Sequence, residues 1–118
     1  MHTVVETPAY LASAKEEGMT ADEMRAAVGM IAADPMCGDP IPGTGGCRKV
    51  RIAGKGRGKS GGYRVVTFYS GIDLPVFLIA VLSKGSRANF SKAERNAMSV
   101  LTKAIVDAAR PRNRKAKS

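Results

Sequence analysis

Basic side chains recur at short spacing through the middle of this 118-residue chain. They are Lys49, Arg51, Lys55, Arg57, Lys59 and Arg64. Guanidinium and ammonium groups bind phosphate oxygens, and several of them together stabilise the negative charge that builds up when a phosphate reacts. Lys49 and Arg51 alternate with Val50 and Ile52, which places both cations on one face of a strand. The cluster therefore predicts a site that binds or cleaves phosphate esters.

Glycines separate three of these cations in residues 54–60, which read GKGRGKS. Gly-Lys-Ser also ends nucleotide-binding loops, but such a loop needs a helix that begins at its lysine and points free N–H groups at the phosphates. Here two more glycines follow, and then the β-branched and aromatic run YRVVTFY, which is typical of a strand. We therefore predict a hairpin tip in which Lys55, Arg57 and Lys59 bind a phosphodiester backbone without sequence preference. A solvated turn is the alternative.

The chain is poor in metal ligands and in histidine. His2 is its only histidine, so a mechanism with two histidines is excluded. Cys37 and Cys47, its two cysteines, lie ten residues apart without a CxxC spacing and are too few for a metal site. We predict no metal, no cofactor, two reduced thiols, and an exposed His2 at the start of the chain.

Charge divides the sequence into two unequal halves. Residues 1–47 carry two cations and seven acids, net −5, whereas residues 48–118 carry seventeen cations and three acids, net +14. A basic region of this density predicts a polyanionic partner, with nucleic acid as the leading class. A surface that is basic only for solubility is the alternative, although such surfaces usually mix their signs.

Local signals in the acidic half predict a short strand and two helices. Residues 3–6 form the strand. Pro8 and Gly18 mark the first turn and the end of one helix. The capping box Thr20–Glu23 begins a second helix, which ends before Pro35. This half is therefore predicted to be mostly a helical hairpin.

The basic half predicts three strands and one helix. Runs at residues 47–53, 63–69 and 74–82 are joined by short connections, which indicates an antiparallel meander whose apolar last strand is covered on both faces. A second capping box at Ser91 begins a helix that Pro111 ends. Apolar residues recur along this helix as on one that packs against a core: Ala97, Val100, Leu101, Ala104, Ile105 and Ala108. The sequence thus predicts an α+β domain with a small, twisted, mostly antiparallel sheet of four strands.

One domain is predicted over residues 1–110, with a basic disordered tail over residues 111–118. The longest apolar run is too short to span a membrane, and the N-terminus lacks the pattern of a signal peptide. We therefore expect a cytoplasmic protein without a membrane partner. The tail either adds affinity for nucleic acid or is only solvated.

Residues 43–66, GTGGCRKVRIAGKGRGKSGGYRVV, resemble the core of RelE-like toxins, in particular the HigB-type branch of type II toxin–antitoxin modules. That branch has a Gly-Thr-Gly-Gly turn, an Arg-Lys-aliphatic-Arg strand, a Gly/Lys-rich loop and then Gly-Gly-x-Arg. The order of predicted elements over residues 3–110 is also similar to that of the family. The resemblance implies a RelE-like fold.

The resemblance further implies a metal-independent endoribonuclease, an mRNA interferase that enters the ribosomal A site beside 16S rRNA. There the ribose 2′-oxygen of the messenger attacks the adjacent phosphate and translation stops. By position, the resemblance implies catalytic roles for Lys49, Arg51, Arg64 and Lys84, and RNA binding by Lys55, Arg57 and Lys59.

The proton-transfer groups are less clearly implied. Many relatives have a tyrosine near the start of the last helix, where this chain has Phe90, which can stack on a base but cannot move a proton. Lys49 or Lys84 is then the candidate acid or base. Tyr63 and Tyr69 are alternatives, although tyrosines in strands more often pack in the sheet.

The resemblance also implies a partner, an antitoxin that neutralises the toxin. In the family it is usually a helix-turn-helix DNA-binding protein, so the toxin would meet DNA only through that complex. Two alternatives stay open: a ParE-like gyrase poison with the same fold, and a non-catalytic module that binds RNA or the ribosome. The basic strand and loop argue against the gyrase poison.

Overall fold

The computed structural model describes residues 2–53, 62–71, 73–83 and 90–109, and these form three helices and five strands. In chain order the elements are β1 (Val4–Glu6), α1 (Pro8–Glu17), α2 (Ala21–Ala33), β2 (Asp39–Pro40), β3 (Cys47–Ile52), β4 (Tyr63–Phe68), β5 (Val76–Ser83) and α3 (Lys92–Ala109). The predicted α+β class is confirmed, as is the order of its predicted elements. The difference is β2, a fifth strand.

The helical hairpin begins and ends at the predicted residues. The Thr7 hydroxyl accepts a hydrogen bond from the backbone N–H of Tyr10 at 3.2 Å, and Gly18 ends α1 in the left-handed conformation with φ of 80°. Thr20 and Glu23 form the expected reciprocal capping box at the start of α2, with N···O distances of 2.8 and 3.1 Å. Local side-chain chemistry therefore fixes these boundaries.

The strands form one sheet in the order β1-β5-β4-β3-β2. β3, β4 and β5 make the predicted antiparallel meander, and β1 pairs in parallel with β5. β5 therefore lies between two other strands, as its continuous apolar sequence indicates. The short β2 was not predicted because Asp39–Pro40 is too brief to show alternation, and its proline is tolerated because β2 lies at the edge.

Side chains on the two faces of the sheet form two separate cores. The hairpin core lies against α1 and α2, and its buried residues are Tyr10, Ala14, Met19, Ala27, Ile31, Val50, Ile52, Tyr63, Val65, Val76, Leu78 and Val81. The α3 core lies on the other face, with buried Ile41, Cys47, Val66, Phe68 and Ile79 and partly buried Phe90, Met98, Ile105 and Val106. Strand alternation therefore places the apolar side chains of β3 and β4 in one core or the other.

The apolar stripe predicted on α3 does not face the core. Val100 is 71% exposed and Leu101 is 41% exposed, and the three alanines of the stripe are exposed as well. Of the six predicted residues, Ile105 alone packs against the α3 core. This part of the prediction was wrong.

A buried polar residue explains which flank of α3 docks. Thr102 is 3% exposed, and its hydroxyl donates a hydrogen bond to the backbone carbonyl of Thr44 at 2.9 Å. Gly45 permits this approach, because a Cβ atom there would lie 2.7 Å from Thr102 Oγ1. The Thr102 hydroxyl and Gly45 therefore determine which flank of α3 packs against the sheet. A prediction based only on the spacing of apolar residues does not include them.

The turn that receives α3 contains the Gly-Thr-Gly-Gly sequence. Thr44 is fully buried, and its hydroxyl donates to the carbonyl of Ile41 at 2.6 Å and accepts from the backbone N–H of Cys47 at 3.1 Å. Ile41 and Cys47 also pair through a backbone hydrogen bond of 2.9 Å. The side chain of Thr44 thus stabilises the turn by hydrogen bonding to the backbone on both sides of it.

Several predictions concern residues outside the described part of the chain. These are the loop at residues 54–60, Lys84, and the tail at residues 111–118 with the domain boundary at residue 110. They stay predictions. Among the helices that are described, none is long and apolar enough to cross a membrane.

Candidate active site

Three predicted site residues lie together on one face of the sheet. Arg51 of β3 pairs directly with Arg64 of β4, and Lys49 pairs with Val66 one step along the same face. Side chains directly opposite each other on antiparallel strands have Cβ atoms about 5 Å apart. We call Lys49, Arg51 and Arg64 the cationic face; the register of two strands brings them together from positions up to fifteen residues apart.

The cationic face lies on the α3 side of the sheet. Arg64 alternates with Val65 of the hairpin core and shares its side with Val66, which belongs to the α3 core. The acidic half of the sequence folds into α1 and α2 against the opposite side. The helices that carry Glu16, Glu17, Asp22 and Glu23 therefore lie on the side of the sheet away from the cationic face.

Arg64 is the most unusual member of the cationic face. It is half-buried, and its guanidinium Nη1 atom is buried without a hydrogen-bond acceptor among the described residues. A like charge directly opposite, here Arg51, is unfavourable for folding, and buried polar atoms normally have partners. No salt bridge within the described ranges involves either arginine. The described residues therefore do not neutralise the two guanidinium groups, which are chemically able to bind an anion.

Phe90 lies beside the cationic face, just before α3. The ammonium nitrogen of Lys49 is 6.0 Å from the centroid of the Phe90 ring, within cation–π range. The guanidinium of Arg95 donates to the Phe90 carbonyl at 2.6 Å, and the ring packs against the α3 core. Arg95 was not singled out from the sequence, since a lone arginine in a helix carries no signal for such a contact.

The two alternative tyrosines are not part of this face. Tyr63 is buried in the hairpin core, with its hydroxyl directed to the Gly18 carbonyl at 3.4 Å. Tyr69 packs against the same core and makes an edge-on contact with the ring of His2, at 5.0 Å between centroids. Tyr63 therefore lies on the opposite side of the sheet from Arg64, and the packing interpretation of the tyrosines is confirmed.

His2 was expected to be an exposed residue, and this was wrong. It is half-buried against Tyr69, and its Nε2 atom hydrogen-bonds the carbonyl of Leu74 at 2.9 Å. These contacts tie the start of the chain to the segment before β5. The single histidine has a structural role away from the cationic face.

The cysteines lie on different sides of the sheet. Cys47 belongs to the α3 core and Cys37 packs against the hairpin core, and both are free thiols. Burial raises the pKa of both thiols, although a hydrogen bond with Thr44 opposes this at Cys47. In the part of the chain that the structure describes, no three potential metal ligands come together.

Comparisons with known proteins agree with this fold. A family model described as the RelE toxin of the RelE / RelB toxin–antitoxin system matches residues 3–116. A solved structure of a free double arginine-to-alanine mutant of the E. coli toxin RelE is similar, with a TM-score of 0.56 and 17% sequence identity over 86% of this chain and 96% of that chain. The architecture is thus that of a small toxin of a toxin–antitoxin system. The chain belongs to the RelE toxin family; the HigB-type branch remains a prediction.

Proposed function

We propose that this toxin is a ribosome-dependent mRNA endoribonuclease that cleaves messenger RNA in the A site and so stops translation. The observation that carries the proposal is the Arg51–Arg64 cross-strand pair, in which Arg64 has a buried guanidinium nitrogen without an acceptor among the described residues. The strong positive charge of residues 48–118 supports a polyanionic substrate.

The proposed reaction needs no metal. The ribose 2′-oxygen attacks the adjacent phosphorus, the bond to the 5′-oxygen breaks, and a 2′,3′-cyclic phosphate is left on the upstream fragment. Negative charge grows on the two non-bridging oxygens during this attack. A guanidinium group can hold both oxygens at once, so Arg64 and Arg51 are proposed to grip the phosphate.

Lysines are the proposed proton-transfer groups. Lys49 lies on the same face as the arginine pair, and its ammonium group can protonate the leaving 5′-oxygen. Lys84, which follows β5 in the sequence, is proposed as the base that, in its neutral amine form, takes the proton of the attacking 2′-hydroxyl. Phe90 is proposed to stack on a base next to the scissile bond, because an aromatic ring beside a phosphate site provides an apolar platform.

The remaining contacts with the ribosome are proposed from charge. Lys55, Arg57 and Lys59 would hold the messenger or 16S rRNA backbone without sequence preference. The toxin would act in the cytoplasm and be neutralised by an antitoxin. We propose that this antitoxin is a helix-turn-helix protein and that it makes all the DNA contacts of the complex. α3, the helix that packs beside the cationic face, is followed in sequence by the basic tail, and we assign no recognition helix to the toxin itself.

The test replaces Arg64 by alanine and compares it with a matched change on the same sheet. Cleavage of a programmed A-site codon on purified ribosomes should slow by at least about 100-fold in Arg64→Ala, because one donor to the reacting phosphate is lost. Ribosome affinity should stay within about tenfold, since one contact among many is removed. Both quantities are measured for the wild-type chain and the variant.

Arg48→Ala is the matched control. It also removes one arginine from β3, but Arg48 alternates with Lys49 and its guanidinium hydrogen-bonds the carbonyl of Gly38 at 3.1 Å. Its cleavage rate should stay within about threefold of wild type, since no transition-state contact is lost. If Arg64→Ala cleaves as fast as Arg48→Ala, the cationic face is not the catalytic site. If the wild-type chain triggers a DNA-damage response without messenger cleavage, the gyrase-poison alternative is correct.

A further inference from the structure

Arg95 connects the segment before α3 with the turn before β3. Its guanidinium donates a hydrogen bond to the backbone carbonyl of Phe90 at 2.6 Å. Its side chain also passes over Gly43, where an added Cβ atom would lie 3.7 Å from Arg95 Nε and 3.8 Å from Arg95 Cδ. Arg95 is half-buried, so its side chain is held against the protein between these two contacts.

The hydrogen bond to Phe90 replaces a contact that helix starts commonly make. Ser91 caps α3, and its carbonyl accepts the first hydrogen bond of the helix, from the backbone N–H of Arg95 at 2.9 Å. Phe90 is therefore the residue before the cap, and Arg95 is the fourth residue of the helix. Apolar side chains at these two positions often pack on each other and fix the direction in which the chain enters the helix. Here an arginine at the second position holds the backbone of the first.

Because Arg95 holds the backbone of Phe90, the Phe90 ring is available for other contacts. The ring packs against the α3 core, and its centroid lies 6.0 Å from the ammonium nitrogen of Lys49. Lys49 lies on β3, the strand that follows the turn at residues 43–46. Arg95 therefore contacts the segments that carry both members of the cation–π pair, and it places an aromatic ring beside the cationic face.

The contact with Phe90 distinguishes Arg95 from the arginines of the cationic face. Nη1 of Arg64 is buried without an acceptor among the described residues, whereas Nη1 of Arg95 already donates to a carbonyl. If that Arg95 nitrogen turned to a phosphate, the hydrogen bond to the carbonyl would be lost. The existing hydrogen bond therefore favours a role in holding Phe90 over a role in binding phosphate.

We propose that Arg95 is a positioning residue, which holds Phe90 where its ring stacks on the nucleobase next to the reacting phosphate. The inference rests on the proposed nuclease function, in which Phe90 stacks on a base. Stacking is present both before the attack and in the transition state, so holding the ring affects KM more than kcat. Loss of Arg64, which binds the charge of the transition state, affects mainly kcat.

The first experiment follows the ring itself in the free toxin. Phe68, Phe77 and Phe90 are the three phenylalanines of the chain, so labelling with fluorophenylalanine gives three fluorine NMR signals, and Phe90→Leu identifies the signal of Phe90. Arg95→Met keeps the apolar part of the side chain and removes the donor. We expect it to move the Phe90 signal toward that of an exposed ring and to leave the Phe68 and Phe77 signals in place. Arg95→Lys keeps a donor and should restore the wild-type signal.

Arg48→Met is the matched control for this measurement. Arg48 also hydrogen-bonds a backbone carbonyl, that of Gly38 at 3.1 Å, and its replacement should change none of the three signals. An unchanged Phe90 signal in Arg95→Met would overturn the inference. Equal movement of all three signals would overturn it too, because Arg95 would then hold α3 as a whole and not Phe90 in particular.

The second experiment measures cleavage of a programmed A-site codon on purified ribosomes. Arg95→Met should raise KM by about threefold to tenfold, a part of the effect of removing the ring in Phe90→Leu, and should leave kcat within about twofold. In the double variant, KM should equal that of Phe90→Leu alone, because no ring is left to hold. Arg48→Met should keep the wild-type KM.

The double variant decides whether Arg95 acts through Phe90. If Arg95→Met has its full effect in the Phe90→Leu background, Arg95 contacts RNA itself and the inference is wrong. A fall in kcat at an unchanged KM would also contradict it. A wild-type chain that cleaves no messenger would instead contradict the proposed function, and the fluorine signals would still show whether Arg95 holds Phe90.

Discussion

The pairing of two arginines across neighbouring strands disfavours folding, but two adjacent guanidinium groups can bind an anion. Arg51 and Arg64 face each other directly, and a buried nitrogen of Arg64 has no acceptor within the described residues. Repulsion between the two guanidinium groups is relieved when a phosphate lies between them. At the scale of single residues, the proposed site would therefore lower the stability of the free protein and favour the phosphate-bound form.

Tyr10 gives a test of stability at the same scale. It is fully buried in the hairpin core, its hydroxyl has no partner among the described residues, and burial, aided by nearby Glu6, raises its pKa to about 12. The unfolded chain ionises a tyrosine near pH 10. Because the folded pKa is raised, the contribution of Tyr10 is complete below pH 10 and is lost as the pH rises to 12.

We therefore predict that Tyr10→Phe flattens the alkaline end of the stability profile. Near pH 7 its free energy of unfolding should equal or exceed that of wild type by up to about 1 kcal/mol, since an unsatisfied hydroxyl is removed. Toward pH 12 the advantage of the variant should grow by about 2 kcal/mol. Urea unfolding of both proteins from pH 7 to pH 12 measures this, and parallel profiles would argue against a raised pKa.

The sequence predicted which residues form the cationic face, but it did not predict the residues that surround them. Alternation in RKVRI placed Lys49 and Arg51 on one side, and the glycine turn before Arg64 pointed to the next strand. The direct pairing of Arg51 with Arg64 depends on the register, which the sequence of one strand does not contain. The contacts of Phe90 with Lys49 and Arg95 depend on where α3 docks.

Among the elements, α3 is held by a small set of specific contacts at the Gly-Thr-Gly-Gly turn. Thr102 donates to Thr44, and Gly45 leaves the space that Thr102 Oγ1 occupies. The capping signals of all three helices were readable because they are local in sequence. The flank through which α3 packs could not be predicted in this way, because the hydrogen bond that determines it joins residues 58 positions apart.

Gly45→Ala should therefore destabilise the protein more than Gly43→Ala. Both glycines have a left-handed φ, +81° and +77°, so each substitution carries backbone strain of about 1–2 kcal/mol. At Gly43 the nearest atom to an added Cβ is 3.7 Å away, whereas at Gly45 the Cβ would displace Thr102 and break its hydrogen bond.

We expect an additional loss of about 1–2 kcal/mol in Gly45→Ala from that displaced contact. The free energies of unfolding in urea measure the difference between the two variants, and backbone strain common to both cancels. Equal destabilisation would show that Thr102 does not anchor α3.

At the scale of the whole molecule, charge and fold are aligned. The acidic half supplies α1 and α2 on one side of the sheet, and the cationic face lies on the other. We therefore expect a polyanion to approach the side of the sheet that bears the cationic face.

The salt dependence of RNA binding should report this polarity. For a short single-stranded RNA, Arg51→Ala should reduce the slope of log Kd against log salt by about 0.7, the value for one lost phosphate contact. Arg25→Ala, the same change of charge on an exposed side chain of α2, should leave the slope unchanged. Titrations by fluorescence anisotropy at several KCl concentrations measure both slopes, and equal slopes for the two variants would mean that RNA does not select a side.

The parallel pairing of β1 with β5 has a consequence for the chain during its own synthesis. Val4–Glu6 is synthesised before its partners Val76–Leu78, which are added about seventy residues later. β5 is also the neighbour of the strand that bears Arg64. A message interrupted before the codon for Val76 therefore yields a polypeptide in which β1 has no partner strand and β4, which bears Arg64, lacks one of its two neighbours. We expect such incomplete products to be harmless to the cell that makes them.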